Sequence, residues 1–328
     1  MEVVGSAPLE LWIALFSIVS VVLVIDLFSD HFHKIFKSSK PSNHERKYPF
    51  GTDVLWTIVW ISLGGLFAIV IFFSLGSQKA IEYATGYALE KSLSVDNLLV
   101  FVLIFTSLGI SHVNQHRVLL WGIIGAIGMR ILFILAGISL LETFSWMIYV
   151  LGGVLLFTSF RIITKKENKK LEIEKGIVVR VLRKFTTVDT TSNDNKFIKI
   201  VSGKMVVTPL LVALLSVELT DLVFALDSIP AILSITQDSF IVISSNMFAI
   251  IGMRSLYFVI GSGIEKLHYL KYGLTVLLGF IGVKMLISEF VHIDVAHSLI
   301  VVFVILGITF GASILKARKT SSESSVSL

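Results

Sequence analysis

The sequence predicts an all-α polytopic membrane protein of about nine transmembrane helices, its core built from two inverted three-helix repeats. Three observations carry that prediction. Long apolar runs recur along nearly the whole chain, Lys and Arg crowd into the segments on one side of them, and an acidic motif occurs twice. Of the 328 residues, 55% are hydrophobic and 16% charged, with a mean hydropathy of +0.87. Soluble domains carry about a quarter charged residues, so this balance leaves no room for a large soluble domain.

A bilayer-crossing helix needs roughly 20 apolar residues. Runs of that kind lie at 10–28, 53–75, 83–108, 118–140, 145–162, 207–234, 239–263, 272–289 and 294–315. The first has no basic residues before it and no small-residue cleavage site after it, so it reads as a retained helix. Among the basic residues, Lys91, Arg130, Arg254 and Lys284 fall well inside runs and Lys79 lies in an outward loop; all others lie on the opposite side, Arg161 at that end of its run. That bias puts the N-terminus outside and the C-terminus in the cytoplasm. The net charge of +5 and pI near 9.2 are spread over short loops, as expected at an anionic leaflet. The expected partner is therefore the lipid bilayer, not nucleic acid. The absence of cysteine excludes disulfides, thiolate metal sites and iron–sulfur clusters.

Five parts follow. Residues 1–82 hold two helices joined by a basic cytoplasmic loop, 83–162 the first three-helix unit, 163–206 a basic cytoplasmic loop, 207–289 the second unit, and 290–328 the last helix with a disordered serine-rich tail. In the loop, KKENKKLEIEKGIVVRVLRKF has the pattern of a basic amphipathic surface helix, and KFIKIVSGKMVV that of two short strands about a turn.

The two units are related by sequence. LEKSLSVDNLLVF at 89–101 aligns with TDLVFALDSIPAI at 220–232, pairing Glu90 with Asp221, Asp96 with Asp227 and Asn97 with Ser228. IGMRILFILAG at 127–137 aligns with IGMRSLYFVIG at 251–261, pairing Arg130 with Arg254. Three helices per unit make the second copy enter the membrane from the opposite side, the plan of secondary transporters whose sites lie at the repeat interface.

A charge inside a span costs about 2.5–3.5 kcal/mol on insertion scales, so charges concentrated there point to function. The candidates are Glu90, Asp96 and Asn97 on the third run and Glu218, Asp221, Asp227 and Ser228 on the sixth. At ~100° per residue, Glu90 and Asn97 share one face, as do Glu218, Asp221 and Ser228, whereas Asp96 and Asp227 point elsewhere. A break at Pro230, which cannot donate to the carbonyl of Leu226, would bring them together and free backbone oxygens. Carboxylate, amide and hydroxyl oxygens suit Mn²⁺, Mg²⁺ or Ca²⁺ rather than softer metals. Arg130 and Arg254 cannot lose their protons, so each must pair with a carboxylate, either permanently or in competition with an arriving dication. Lys91 and Lys284 read as snorkelling or locally paired, Asp26 as solvated, and His31, His33, His112, His116, His268, His292 and His297 as loop or interface residues. Gly122, Gly125 and Gly152 allow close helix packing. No nucleotide-loop, zinc-protease or serine-hydrolase motif is present, and neither an enzyme nor a bound cofactor is expected.

TGYALEKSLSVDNLLVF, QHRVLLWGIIGAIGMR, VELTDLVFALDSIPAI and LKYGLTVLLGFIGVKML resemble signatures of the TerC/Alx family of bacterial membrane proteins over roughly 10–290. The resemblance implies divalent-metal homeostasis, chiefly Mn²⁺ export, with an older association with tellurite resistance, and it carries the acidic motif onto Glu90, Asp96, Asn97, Glu218, Asp221, Asp227 and Ser228. Leu98, Leu99 and Phe28 depart from the expected family residues at apolar positions. The expected function is secondary export of a divalent cation, in exchange for protons or down the ion's own gradient. The rival is a membrane scaffold of the tellurium-resistance type, with no transport and purely structural buried charges. A redox module is disfavoured by the lack of Cys and of mid-membrane His.

Overall fold

The computed structural model describes residues 7–36, 50–144, 146–164, 177–189, 196–201, 203–261, 269–288, 290–291 and 293–326. It is almost wholly helical. In chain order it contains α1 (Leu9–Phe36), α2 (Phe50–Leu75), α3 (Ser77–Ser107), α4 (His112–Thr143), α5 (Met147–Thr164), α6 (Ile177–Phe185), α7 (Pro209–Leu233), α8 (Ser239–Ile250), α9 (Met253–Gly261), α10 (Leu270–Leu286) and α11 (Val295–Val326). Between α6 and α7 lie β1 (Thr187–Val188), β2 (Ile198–Val201) and β3 (Lys204–Val207).

Each apolar run lies on a helix, the seventh on the pair α8–α9. Five described helices are long and apolar enough to cross a membrane, and the α8–α9 pair, bent by 43°, makes a sixth if taken as one broken span. The helix α3 is long enough, but Glu90, Lys91 and Asp96 interrupt its apolarity. Of the five, α7 and α4 are the most enclosed, with 44% and 39% of their apolar windows buried, against 11% in α5, and every residue of α8 is buried. They form the centre of the bundle. Peripheral helices expose large apolar side chains such as Phe73, Phe157, Phe160 and Ile308, the surface that a lipid-facing helix presents.

Local chemistry sets the helix ends. Gly76, with φ 91°, makes the tight turn from α2 into α3, and Gly109, with φ 61°, the turn towards α4; both need the left-handed region that favours glycine. Pro209 opens α7, where its missing N–H costs nothing. The Thr208 hydroxyl before it donates to the carbonyls of Lys196 and Phe197 at 2.7 and 3.1 Å. Asp238 caps α8, accepting from the backbone N–H groups of Phe240 and Ile241.

The halves interlock: α3 packs on α7 and α8, α4 on α7 and α8, and α5 on α10. The α5–α10 contact brings backbones close together. A Cβ at Gly152 would lie 3.1 Å from the carbonyl oxygen of Gly282, and one at Gly282 3.0 Å from that of Gly152.

The break expected at Pro230 lies elsewhere. The helix α7 passes through Pro230 as one element, with the proline in its last turn, where the missing N–H costs a single hydrogen bond. The interruption falls at Ile251–Gly252 between α8 and α9, where Gly252 takes φ 79°.

In the segment between α5 and α7 the amphipathic helix is α6, with Val179 inside and Arg180, Arg183 and Lys184 exposed; residues 165–176 lie outside the described residues. The two strands form the antiparallel pair β2–β3, with Ile200 opposite Met205. A third strand, β1, adds in parallel to β3, pairing that two residues could not announce in sequence.

Candidate functional site

Four helices converge on the guanidinium of Arg130, which projects from the middle of α4 and is 1% exposed. Its Nη1 donates to Oε1 of Glu90 on α3 and, at 3.0 Å, to Oδ1 of Asn246 on α8. From α7, Asp221 takes the other edge, with Nη2 donating to Oδ1 at 3.2 Å and Nε to Oδ2 at 3.4 Å. This two-pronged grip matches the planar fork of arginine to a carboxylate. The Asn246 amide is held by its own donation to the carbonyl of Val242 at 3.1 Å, which aims Oδ1 at the arginine. Glu90, Asp221 and Asn246 are all buried. One cation thus serves two carboxylates, and the carboxylates come from aligned positions of the two units.

The same helices also bury polar atoms without partners. Among the described residues, Glu90 Oε2 is buried without a hydrogen-bond partner, as are Nδ2 of Asn97 and Oγ of Ser228. Buried polar atoms are nearly always satisfied, and an exception calls for a water, an ion or a functional reason. Asn97 and Ser228 are themselves aligned positions of the two units.

Glu218 sits one turn before Asp221 and half-buried, close enough for the two carboxylates to repel. Its carboxylate lies where α4 has no side chain: a Cβ at Gly125 would meet Oε1 at 2.3 Å and Cδ at 2.7 Å. Glu218 and Asp221 line a narrow cleft together with Phe101, Leu119 and Met253.

The other expected site residues are placed apart. Asp227 turns towards α5, where its Oδ1 accepts from the Thr158 hydroxyl at 2.8 Å. Arg254 is buried at the start of α9, beside the helix break. The side chains of Asp96 and Asp26 lie outside the described residues. Among the described residues, no group of three or more His, Cys, Asp or Glu side chains draws close enough to hold a metal ion. His116, read from sequence as a loop or interface residue, is buried on the second turn of α4 and stacks on Phe258 with ring centroids 3.9 Å apart.

Sequence reasoning missed Asn246, Thr158 and the contacts of Lys91. The available signal for Asn246 was a lone amide in the apolar stretch SFIVISSNMFAI, where only a polar partner repays its burial.

This arrangement defines a class, an all-α, multi-pass integral membrane protein with a charged node buried between its central helices. Comparison narrows the class. The description "Integral membrane protein TerC family" matches over residues 75–323. The chain belongs to this family. It is 43% identical over 265 residues to an uncharacterized membrane protein, STKORF319, of Myxococcus xanthus, covering 80% of this chain and 82% of that protein. It is 42% identical over 262 residues, 77% of this chain and 81% of the relative, to a Salmonella typhi protein named Alx and described as a candidate membrane-bound redox modulator. An uncharacterized membrane protein of Rickettsia bellii is 34% identical over 305 residues, covering 93% of this chain and 97% of the relative. No solved structure matches the chain.

Proposed function

We propose that the chain is a secondary transporter, not an enzyme, that exports a divalent metal cation from the cytoplasm, with Mn²⁺ as the principal cargo. The observation that carries this reading is the pairing of Glu90 and Asp221, which the two acidic motifs align in sequence, on one buried arginine with a carboxylate oxygen to spare. An incoming dication competes with Arg130 for both carboxylates. Glu218 reaches it through the cleft, and the oxygens of Asn97 and Ser228 lie on the same two helices. Three carboxylates and two neutral oxygens approach the six-oxygen shell that Mn²⁺ and Mg²⁺ prefer, and Ca²⁺ fits the same donors. Displacement of Arg130 from one side and its return from the other is the conformational cycle, with Arg254 in the matching role on α9. Asp96 and Asp227 complete the acidic set as stations on the path, and protons are the counter-ion.

The proposed setting is a bacterial inner membrane, crossed about nine times, with the N-terminus outside and the C-terminus inside. A thiol-based redox role is unavailable to a chain without cysteine.

The test is uptake of Mn²⁺ into proteoliposomes holding an ion-sensitive dye, under an imposed pH gradient. Glu90→Gln and Asp221→Asn should each lower the initial rate at least ~10-fold while the protein stays folded, the scale of loss seen when groups that hold a metal are altered. Full rates in both variants would instead favour the scaffold, in which the node only sets packing.

A further inference from the structure

The site above leaves unexplained what sits at the broken helix. The α8 backbone stops at Ile250, and the chain turns through Ile251 and Gly252 before α9 begins. A helix end leaves carbonyl oxygens without their N–H partners, and they carry the negative end of the helix dipole. In a membrane span no bulk water is present to satisfy them. Here they are met by Lys91, the residue after Glu90, whose Nζ crosses from α3 to donate to the carbonyls of Ala249 at 3.0 Å and Ile251 at 3.1 Å. Among the described residues its hydrogen bonds go to these two carbonyls and to no carboxylate. On the opposite side the turn is pinned by Trp60 of α2: a Cβ at Gly252 would lie 2.6 Å from Trp60 Cβ. The break is therefore a fixed structure with a cation built into it.

Two converging carbonyls at the C-terminal end of a half-helix are the donors with which broken membrane helices hold small monovalent ions. We propose that the carbonyls of Ala249 and Ile251 form a monovalent-cation site that the chain fills with its own Lys91, so that the ammonium takes the place of an alkali ion. The consequence is independence: the native protein needs neither Na⁺ nor K⁺ to hold its helix break. A chain shortened at Lys91 acquires that need. The inference concerns the charge at the break and stands apart from metal export.

The experiment uses the purified full-length chain in detergent, unfolded by heat at constant ionic strength with choline replaced stepwise by K⁺, Na⁺ or methylammonium. Lys91→Ala should unfold several degrees below wild type in choline. It should recover about 3–6 °C, with saturation, as the small cation is added, since ligand binding to the folded state alone raises the midpoint. Wild type should move by less than about 1 °C. Lys91→Met, which fills the space without charge, should stay low in every salt. A Lys91→Ala midpoint indifferent to all cations, or a wild-type midpoint that rises as much as the variant's, overturns the proposal. If Lys91→Ala yields no folded protein, the yields of Lys91→Arg and Lys91→Met decide. Recovery of the arginine variant alone supports a required cation, and any other pattern refutes it.

Discussion

Gly125 shows how a residue with no side chain shapes the candidate site. The atoms a Cβ would strike there belong to the tip of the Glu218 side chain, which can swing away at small cost, so Gly125→Ala should change stability by less than about 1 kcal/mol. The carboxylate would nevertheless leave the cleft it shares with Asp221. Transport should fall severalfold with the unfolding midpoint nearly unchanged, and equal rates in wild type and variant would remove Glu218 from the path. Lys79 is the clearest titrating residue outside the apolar stretch of α3. It binds Glu82 at 3.0 Å and Asp238 at 3.1 Å. Burial pulls its pKa down, but the two carboxylates outweigh burial and hold it above the ordinary 10.5. A raised folded-state pKa contributes stability in full at pH below the free lysine value, and the contribution fades as the pH climbs through the folded value. Wild type should therefore exceed Lys79→Met in thermal stability at neutral pH, and the gap should close in strong alkali. A gap that persists there would show that packing, not charge, holds Lys79.

At the scale of elements, some of the architecture was legible and some was not, for physical reasons. Charges inside apolar runs are costly enough to stand out, so Glu90, Asp221 and Arg130 could be singled out before any coordinates, with Glu90 aligned on Asp221 and Arg130 on Arg254; which carboxylates the arginine would hold could not be read. Neutral polar groups are cheaper to bury, and their partners depend on which helices meet, so Asn246 and Thr158 gave no comparable signal. Lys91 looked like a locally paired or snorkelling residue because its true partners lie 158 and 160 residues away in the chain. The helix break was misplaced because a proline marks a lost hydrogen bond but not its cost: Pro230 sits in the last turn of α7, whereas Gly252 permits a backbone turn in mid-span. Gly252→Ala should accordingly destabilise the protein by about 1–3 kcal/mol, from left-handed strain and the contact with Trp60. Pro230→Ala should be milder. Reversible unfolding in mixed micelles would rank the two, and the opposite order would return the hinge to α7.

At the scale of the whole molecule, orientation is the most exposed part of the proposal. The natural absence of cysteine makes every introduced thiol unique. In intact spheroplasts, Ser77→Cys, at the start of α3, should react with a membrane-impermeant maleimide. Lys196→Cys, before β2, should react only after the membrane is opened. The reverse pattern would invert the topology and turn export into import.

The pairing of each central helix with a helix from the other half bears on what covalent continuity contributes. Since α3 and α4 lean on α7 and α8, and α5 lies backbone to backbone against α10, neither half presents a finished surface to lipid when alone. A gene cut within the connector between α5 and α7 and expressed as two polypeptides should yield fragments that seek each other out and co-purify. Co-purification would mean that the peptide bond between the halves guarantees equal dosage more than it guarantees assembly.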